Sequence, residues 1–319
     1  MRSESNRGLN ASISTAKSLI SAIGIRLNPT NSGRIRNVIV KGRGGLGNRL
    51  LGALTAISVA KAFRFPVHID WTDQYYSDGT YNAFDMLFET HGFDRLEEMP
   101  AGSVYKEVWD GRLEWSGYEL TEQLQVSWDS VVTDITEIAL SRKIADSYVY
   151  GGYFFDRRSL ASLGITPSAR RVFHKHLAWS ARVRELSDGL PQLDDAIGVH
   201  MRGTDLHSNV RVDKFVEAVN RIDSSCPVLV CTDDSALADQ AVLAFGDRMV
   251  PLDRTYADGQ PLHYRGSDDS KVQTTLECVR DLVALSKCKQ VVGTQGSTFS
   301  SVAADIVSQQ RRRLVLVTP

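Results

Sequence analysis

A short polar segment near the middle of the chain combines residue types that bind phosphate. Residues 200–205 are His-Met-Arg-Gly-Thr-Asp, and they continue the apolar run 196–199. At positions i and i+2 of a strand, His200 and Arg202 point to one side of the sheet, where an arginine can bind a phosphate through two parallel hydrogen bonds. Asp205 either orients that guanidinium or caps the next turn. The segment favours anion binding, and a surface Arg–Asp ion pair is the structural alternative.

A glycine-dense segment lies earlier, between a β-branched run and a helical pattern. Gly42, Gly44 and Gly47 have the spacing of a dinucleotide-binding loop, and Asp70 ends the next predicted strand. Glycines let the backbone approach an anion, and the start of the following helix supplies N–H groups and positive potential. Three interpretations remain open: an NAD(P)-dependent oxidoreductase that uses this loop and Asp70, another phosphate contact, and a tight turn without a ligand.

Three further polar groups lie nearer the end of the chain. Residues 232–234 are Thr-Asp-Asp, which allows a metal site, hydrogen bonds to a base or ribose, or a helix cap. Because the chain has no third acid at a fitting spacing, the metal site is the weakest of the three. Asp281 lies among apolar positions of a predicted helix, where a carboxylate needs solvent or a partner. Ser297 and Thr298 begin another predicted helix, where hydroxyls serve as caps or as phosphate ligands.

Strands separated by helical patterns position these groups. The predicted strands are residues 37–41, 66–71, 196–201, 227–231, 290–293 and 313–317, and a helix-rich stretch covers residues 167–190. This pattern occurs twice, which predicts an α/β protein with two lobes. Ligands of such sheets bind beyond the carboxyl ends of the strands, and the polar groups follow those ends.

The predicted organisation has three parts. Residues 1–36 form a mobile basic tail, because they carry six basic residues and one acid among many Ser, Asn and Gly. Residues 37–190 form an amino-terminal lobe. Residues 191–319 form a carboxyl-terminal lobe, and Pro191 marks the boundary.

Composition excludes several classes of protein. The 319 residues carry a formal net charge of −1, so the chain as a whole does not attract nucleic acid or an anionic membrane. No stretch approaches the ~18 apolar residues of a membrane span. The four cysteines have no CxxC spacing, which argues against a zinc site or a disulfide scaffold and for reduced thiols in a cytoplasmic protein.

In order and spacing, four blocks resemble the GDP-fucose fucosyltransferases of the α1,2/α1,6/protein-O group, in particular the bacterial nodulation-type α1,6 enzymes. The blocks are residues 44–48, residues 198–205, residues 230–234, and residues 281–286 continuing to 297–298. The resemblance implies a GT-B-like α/β fold, with two Rossmann-like lobes whose parallel sheets face each other across a cleft. The amino-terminal lobe (37–190) would be the acceptor side and the carboxyl-terminal lobe (191–319) the GDP-sugar side. It also implies inverting transfer of fucose from GDP-fucose to a glycan acceptor, with no metal or other cofactor.

The resemblance also implies roles for individual residues. Arg202 and His200 would be the catalytic pair that holds the diphosphate, with Arg202 stabilising it as it leaves. The implied donor-binding residues are Gly44, Gly45, Gly47, Asn48, Asp205, Thr232, Asp233, Asp281, Ser297 and Thr298.

Two positions depart from the family pattern. Gly203 stands where the α1,6 and α1,2 enzymes carry a second arginine, and Val210 stands where mammalian-type α1,6 enzymes have a glutamate base. Asp73, after the second strand, is a candidate base, and a turn-forming Asp is its alternative. Because the base is unassigned, a nucleotide-sugar or glycan-binding protein without turnover is a third function class.

Overall fold

Two parallel β-sheets, one in each half of the chain, organise the protein. The computed structural model describes residues 35–42, 44–73, 75–98, 145–152, 154–166, 168–203, 210–254, 256, 268–310 and 312–318. The strands are β1 (Ile35–Lys41), β2 (Val67–Asp70), β3 (Phe88–Thr90), β4 (Ala145–Tyr150), β5 (Leu177–Trp179), β6 (Ile197–Met201), β7 (Val228–Thr232), β8 (Met249–Val250), β9 (Gln290–Thr294) and β10 (Arg313–Val317).

Helices connect these strands. The α-helices are α1 (Leu46–Phe63), α2 (Ala83–Leu87), α3 (Arg157–Ser162), α4 (Ala169–His176), α5 (Ala181–Asp188), α6 (Val212–Ile222), α7 (Ser235–Phe245), α8 (Asp268–Lys287) and α9 (Thr298–Ser301). A 3-10 turn (Gly246–Arg248) follows α7, and a π-helical turn (Val302–Val307) continues α9. None of the described helices is long and apolar enough to cross a membrane.

The strand order confirms the predicted α/β class. The first sheet has the order β2-β1-β4, the second has the order β10-β9-β6-β7-β8, and every pairing in both is parallel. All six strands predicted from the sequence are present. The additional pair β3–β5 is antiparallel, and its strand β5 lies within the helix-rich stretch of residues 167–190.

The proposed boundaries need one correction. Strand β1 begins at Ile35, because residue 35 pairs with residue 145 of β4, so the predicted tail of residues 1–36 is two residues too long. Residues 1–34 of that tail lie outside the described part of the chain. The predicted lobe boundary at Pro191 falls between α5 and β6, and it stays a prediction.

The second sheet is buried on both faces. Along β7, Val228 and Val230 pack with α6 and α7 on one side, whereas Leu229 and Cys231 pack with α8 on the other, as the two-residue period of a strand requires. A Cβ atom at Gly198 of β6 would lie 2.8 Å from Leu285 Cδ2. Glycine at this position therefore allows α8 to pack directly on the sheet.

Helix α1 joins the two halves of the chain. A Cβ atom at Gly47 would lie 2.9 Å from Thr298 Oγ1 and 3.1 Å from the backbone N of Phe299. The amino ends of α1 and α9 therefore lie against each other, and glycine is needed at this contact. The four cysteines are free, and three of them are buried.

Candidate active site

A cavity of about 280 Å³ lies at the carboxyl ends of the strands, between the start of α1 and the second sheet. Its walls come from the glycine loop (Gly44–Asn48), the ends of β6 and β7, the start of α9, and one face of α8. The lining residues are Gly44, Gly45, Leu46, Gly47, Asn48, Tyr75, Tyr76, His200, Arg202, Thr232, Asp233, Arg254, Lys271, Thr274, Thr275, Cys278, Asp281, Gly296, Ser297, Thr298 and Phe299.

The cavity brings together nearly all the residues that the sequence singled out. Of the twelve predicted catalytic and donor-binding residues, eleven line it. The twelfth, Asp205, lies outside the described residues.

Arg202 follows β6 and is held at the cavity by Asp233. Its Nε lies 3.3 Å from Asp233 Oδ2, and the other carboxylate oxygen accepts a hydrogen bond of 2.8 Å from the Gly203 N–H. The Arg202 N–H donates to Thr294 Oγ1 of β9 at 2.9 Å. Asp233 therefore orients the guanidinium from the end of the neighbouring strand.

Both departures from the family pattern have a packing explanation. A Cβ atom at Gly203 would lie 2.7 Å from Leu237 Cδ1 and 2.8 Å from Asp234 Cβ, so a second arginine cannot fit there. Val210 packs against the apolar core of the second sheet. Neither position supplies a charged side chain to the cavity.

His200 is a buried, neutral imidazole. Its Nδ1 lies 2.8 Å from Ser300 Oγ, and its ring packs on Phe299 with 4.9 Å between centroids. Burial, with the nearby charges of Arg202 and Arg254, lowers the pKa of His200 to about 3. The ring therefore contributes a hydrogen-bonding group without a charge.

We expect this buried imidazole to make the protein sensitive to acid. Between pH 6.5 and about 3 the unfolded chain protonates His200 whereas the folded protein does not, so the free energy of unfolding should fall as pH falls through this window. A His200→Gln variant should lose that part of the pH slope. Urea unfolding at intervals from pH 4 to pH 7 measures it, and identical slopes in both proteins would contradict the assignment.

Arg254 and Asp281 form a second buried pair in the cavity wall. Arg254 Nη2 lies 2.6 Å from Asp281 Oδ1, although the two atoms are not aligned for a hydrogen bond, and Arg254 Nη1 donates to the Thr232 carbonyl at 2.8 Å. Burial raises the pKa of Asp281 to about 6, and Arg254 limits that rise. The pair places a cation and a titratable acid side by side.

The glycines of the first motif have different functions. The space beside Gly42 is filled, because a Cβ atom there would lie 2.0 Å from Arg49 Nη1. Gly44 has φ of 65°, a conformation that favours glycine. A Cβ atom at Gly45 would meet nothing within 4 Å. Backbone approach to a ligand is therefore open at Gly45, whereas Gly42 serves internal packing.

The structure does not support the oxidoreductase alternative. Asp70, which would bind a ribose in such an enzyme, is completely buried. One of its oxygens is in an ion pair with Lys41, and the other accepts from the N–H and hydroxyl of Thr72. Its carboxylate is therefore occupied within the protein.

Asp73 does not face the cavity as a base should. Its two oxygens accept hydrogen bonds of 2.6 and 2.8 Å from the Arg49 guanidinium, and the residue is buried. Its backbone carbonyl also accepts from the N–H groups of Tyr76 and Ser77, as in the turn-forming alternative.

The chain resembles known proteins in its fold. No protein-family model matches the chain, and no curated protein matches it. Among solved structures, the fucosyltransferase NodZ from Bradyrhizobium has a TM-score of 0.59 and 19% identity over 85% of this chain and 91% of that chain. NodZ has also been solved after soaking with GDP-fucose.

Two further solved structures are also similar. POFUT1 in complex with GDP-fucose has a TM-score of 0.55 and 13% identity over 88% of this chain and 98% of that chain. FUT1 of Arabidopsis thaliana in complex with GDP has a TM-score of 0.50 and 15% identity over 92% of this chain and 76% of that chain.

The chain has the fold of these fucosyltransferases. The predicted GT-B-like arrangement of two Rossmann-like lobes is thereby confirmed. At these identities the likeness establishes the fold alone, so the chemistry of the cavity has to be argued from its residues.

The charges of the cavity favour an anion. Its described lining contains three cations, Arg202, Arg254 and Lys271, against two carboxylates, Asp233 and Asp281. The amino end of α1 adds the positive potential of the helix dipole, and no acid in its first turn offsets this potential.

The predicted acid pair, Asp233 and Asp234, has two separate functions. Asp233 orients Arg202, whereas Asp234 caps α7 by accepting from the Leu237 N–H. No three potential metal ligands cluster anywhere in the described part of the chain.

On the cavity wall formed by α8, the sequence analysis identified only Asp281. Helix α8 contributes Lys271, Thr274, Thr275, Cys278 and Asp281, which recur at three- and four-residue intervals. This polar stripe on one helix face was a readable signal. Arg254 was missed as well, because it follows a strand of only two residues.

Proposed function

We propose that the protein transfers fucose from GDP-fucose to a glycan acceptor, with inversion at the anomeric carbon and without a metal ion. One observation carries the proposal: Arg202, His200 and the glycine loop converge on one cavity in a fucosyltransferase fold. Structures with this fold have been solved with GDP-fucose or GDP bound. The acceptor would approach from the amino-terminal lobe.

The residues suit a departing nucleoside diphosphate. When the acceptor hydroxyl attacks the anomeric carbon, it releases its proton to solvent, the bond to the diphosphate oxygen breaks, and GDP takes the electron pair. The guanidinium of Arg202 and the N–H groups at the start of α1 would stabilise that growing negative charge, which lowers the barrier because the interaction strengthens in the transition state.

His200 would act as a neutral donor to the same group. If Ser300 donates its hydroxyl hydrogen to Nδ1, then Nε2 carries the imidazole hydrogen and can donate it to a phosphate oxygen. The low pKa of His200 keeps this arrangement unchanged over the physiological pH range. Asp233 and Asp281 both lie against arginines, which suits them to orient cations.

Calorimetry and a transfer assay test the proposal. GDP should bind and NAD(P) should not, and GDP-fucose should be turned over with at least one member of an oligosaccharide panel more readily than GDP-mannose. Binding of GDP-fucose without turnover on any acceptor would instead indicate a binding protein. Failure to bind GDP would overturn the proposal.

We expect chelation to leave transfer intact. The cations that face the cavity are arginine and lysine side chains, which can neutralise the diphosphate without magnesium. The check is the initial rate with and without EDTA. Loss of activity that a divalent ion restores would show that a metal takes part.

A methyl group at Gly45 should weaken GDP binding and leave the fold intact. Gly45 is the N-cap of α1 and has φ of −68° with open space beside it, so alanine fits the free protein at a cost of about 1 kcal/mol or less. The methyl group would nevertheless occupy the path of the diphosphate, and we expect GDP to bind about tenfold more weakly, a loss of ~1.4 kcal/mol.

The matched control is Gly189→Ala at the end of α5, where φ is −78° and the nearest atoms lie at 3.7 Å. It should change neither stability nor GDP affinity. Equal GDP affinity in the Gly45→Ala variant and the wild type would mean that the ligand does not approach this part of the backbone.

A further inference from the structure

Arg49 lies outside the cavity lining but contacts residues of two of its walls. Its guanidinium is buried and binds both oxygens of Asp73, while its Nε donates to the Gly44 carbonyl at 2.8 Å. The same guanidinium packs on the Tyr76 ring, with its central carbon 4.2 Å from the ring centroid. Gly44 and Tyr76 line the cavity, whereas Arg49 and Asp73 are not among its lining residues.

We propose that Arg49 is a positioning residue that fixes the glycine loop and the tyrosine pair (Tyr75 and Tyr76) relative to each other for donor binding. The inference deepens the proposed function and rests on it. The hydrogen bonds and the ring contact of this arrangement all involve either Arg49 or its partner Asp73. Displacing that side chain should therefore loosen two walls of the cavity at once.

The bond to Gly44 also sets the direction of a backbone donor. The C=O and N–H of a trans peptide point in opposite directions. Because Arg49 binds the Gly44 carbonyl, the N–H of Gly45 points away from Arg49, to the side on which the diphosphate would lie. The positive φ of Gly44 permits this peptide orientation.

Asp73 transmits the same constraint to the tyrosine pair. Its Oδ1 accepts from the Tyr75 N–H at 3.2 Å, and its carbonyl accepts from the Tyr76 N–H at 3.0 Å. The turn that carries both tyrosines is thus built on the carboxylate that Arg49 holds. This gives Asp73 a function that does not require it to meet the acceptor.

An Arg49→Lys variant tests the inference, with Arg248→Lys as the matched control. Lysine keeps the charge but loses the two-pronged contact with Asp73 and the geometry of the Gly44 bond. Arg248 also makes three hydrogen bonds through its guanidinium, to Cys226, Asn220 and Asp223, but it lies beside the amino end of β7, away from the cavity. Both variants should lower the unfolding temperature.

Two readouts separate positioning from stability. In the ligand-free protein, Arg49→Lys should speed amide hydrogen exchange in residues 44–50 and in residues 75–82, and Arg248→Lys should change neither segment. GDP should bind at least about tenfold more weakly to Arg49→Lys, because two walls of its cavity are loosened, and normally to Arg248→Lys.

Unchanged exchange in either segment, or an equal loss of GDP affinity in the control, would overturn the role of Arg49. A wild-type protein that binds no GDP would overturn the proposed function, whereas the exchange comparison would still decide whether Arg49 couples the two walls.

Discussion

Replacing Arg202 with alanine should reduce the rate of fucosyl transfer by about 10²- to 10³-fold, the usual effect of removing a donor aimed at developing charge. The guanidinium is part of the cavity wall and is oriented there by Asp233. Its loss removes the cation at the point where the diphosphate would leave and also leaves Asp233 near the departing anion. Initial rates with GDP-fucose and the best acceptor measure the effect.

Arg202→Lys should be severely impaired as well. The planar guanidinium can bind Asp233 along one edge and a phosphate along another, whereas the ammonium group of lysine is a point charge and cannot. The control is Arg221→Ala on α6, whose side chain is 78% exposed and bonds only to Glu217 among the described residues. Near-normal transfer by Arg202→Ala would contradict the role of Arg202, and normal transfer by Arg202→Lys would contradict two-pronged binding.

Removing Asp281 should destabilise the protein more than removing its partner Arg254. In Asp281→Leu, a buried guanidinium that cannot lose its proton is left without its counter-ion, and we expect a cost of about 3–5 kcal/mol. In Arg254→Met, the remaining carboxyl group can take up a proton instead. Urea unfolding of both single variants compares the two costs.

The titration of Asp281 also predicts that the free energy of unfolding depends on pH. Because the pKa of Asp281 is about 6 in the folded protein and lower in the unfolded chain, its contribution to the free energy of unfolding declines as pH rises from about 4 to 6. Without Arg254 that pKa rises further, so the Arg254→Met protein should continue to lose stability above pH 6.

The double variant Asp281→Leu/Arg254→Met should recover most of the stability that Asp281→Leu loses, because it buries no unpaired charge. An Arg254→Met protein less stable than Asp281→Leu at pH 6 would contradict this account, as would a double variant as unstable as Asp281→Leu.

The parallel strands and the groups at their carboxyl ends could be predicted from the sequence. Buried parallel strands are continuous β-branched runs, and each run here ends in glycine or polar residues. His200, Thr232 and Ser297 then meet because parallel strands of one sheet end at one edge, so the local pattern determines a shared site.

Elements without such a pattern were not predictable. Strand β4 (Ala145–Tyr150) mixes polar and aromatic residues, and its pairing partner β1 is about a hundred positions earlier in the chain. Asp73 illustrates the same limit for a side chain. Its sequence context allows a base or a turn, and only its contact with Arg49, set by tertiary packing, decides between them.

A crystal structure of the complex with GDP would locate the nucleotide directly. We expect the diphosphate within hydrogen-bonding distance of the Arg202 guanidinium and the Gly45 N–H, with the nucleoside extending toward Asp281. A nucleotide bound outside the cavity, with Arg202 directed into solvent, would contradict it.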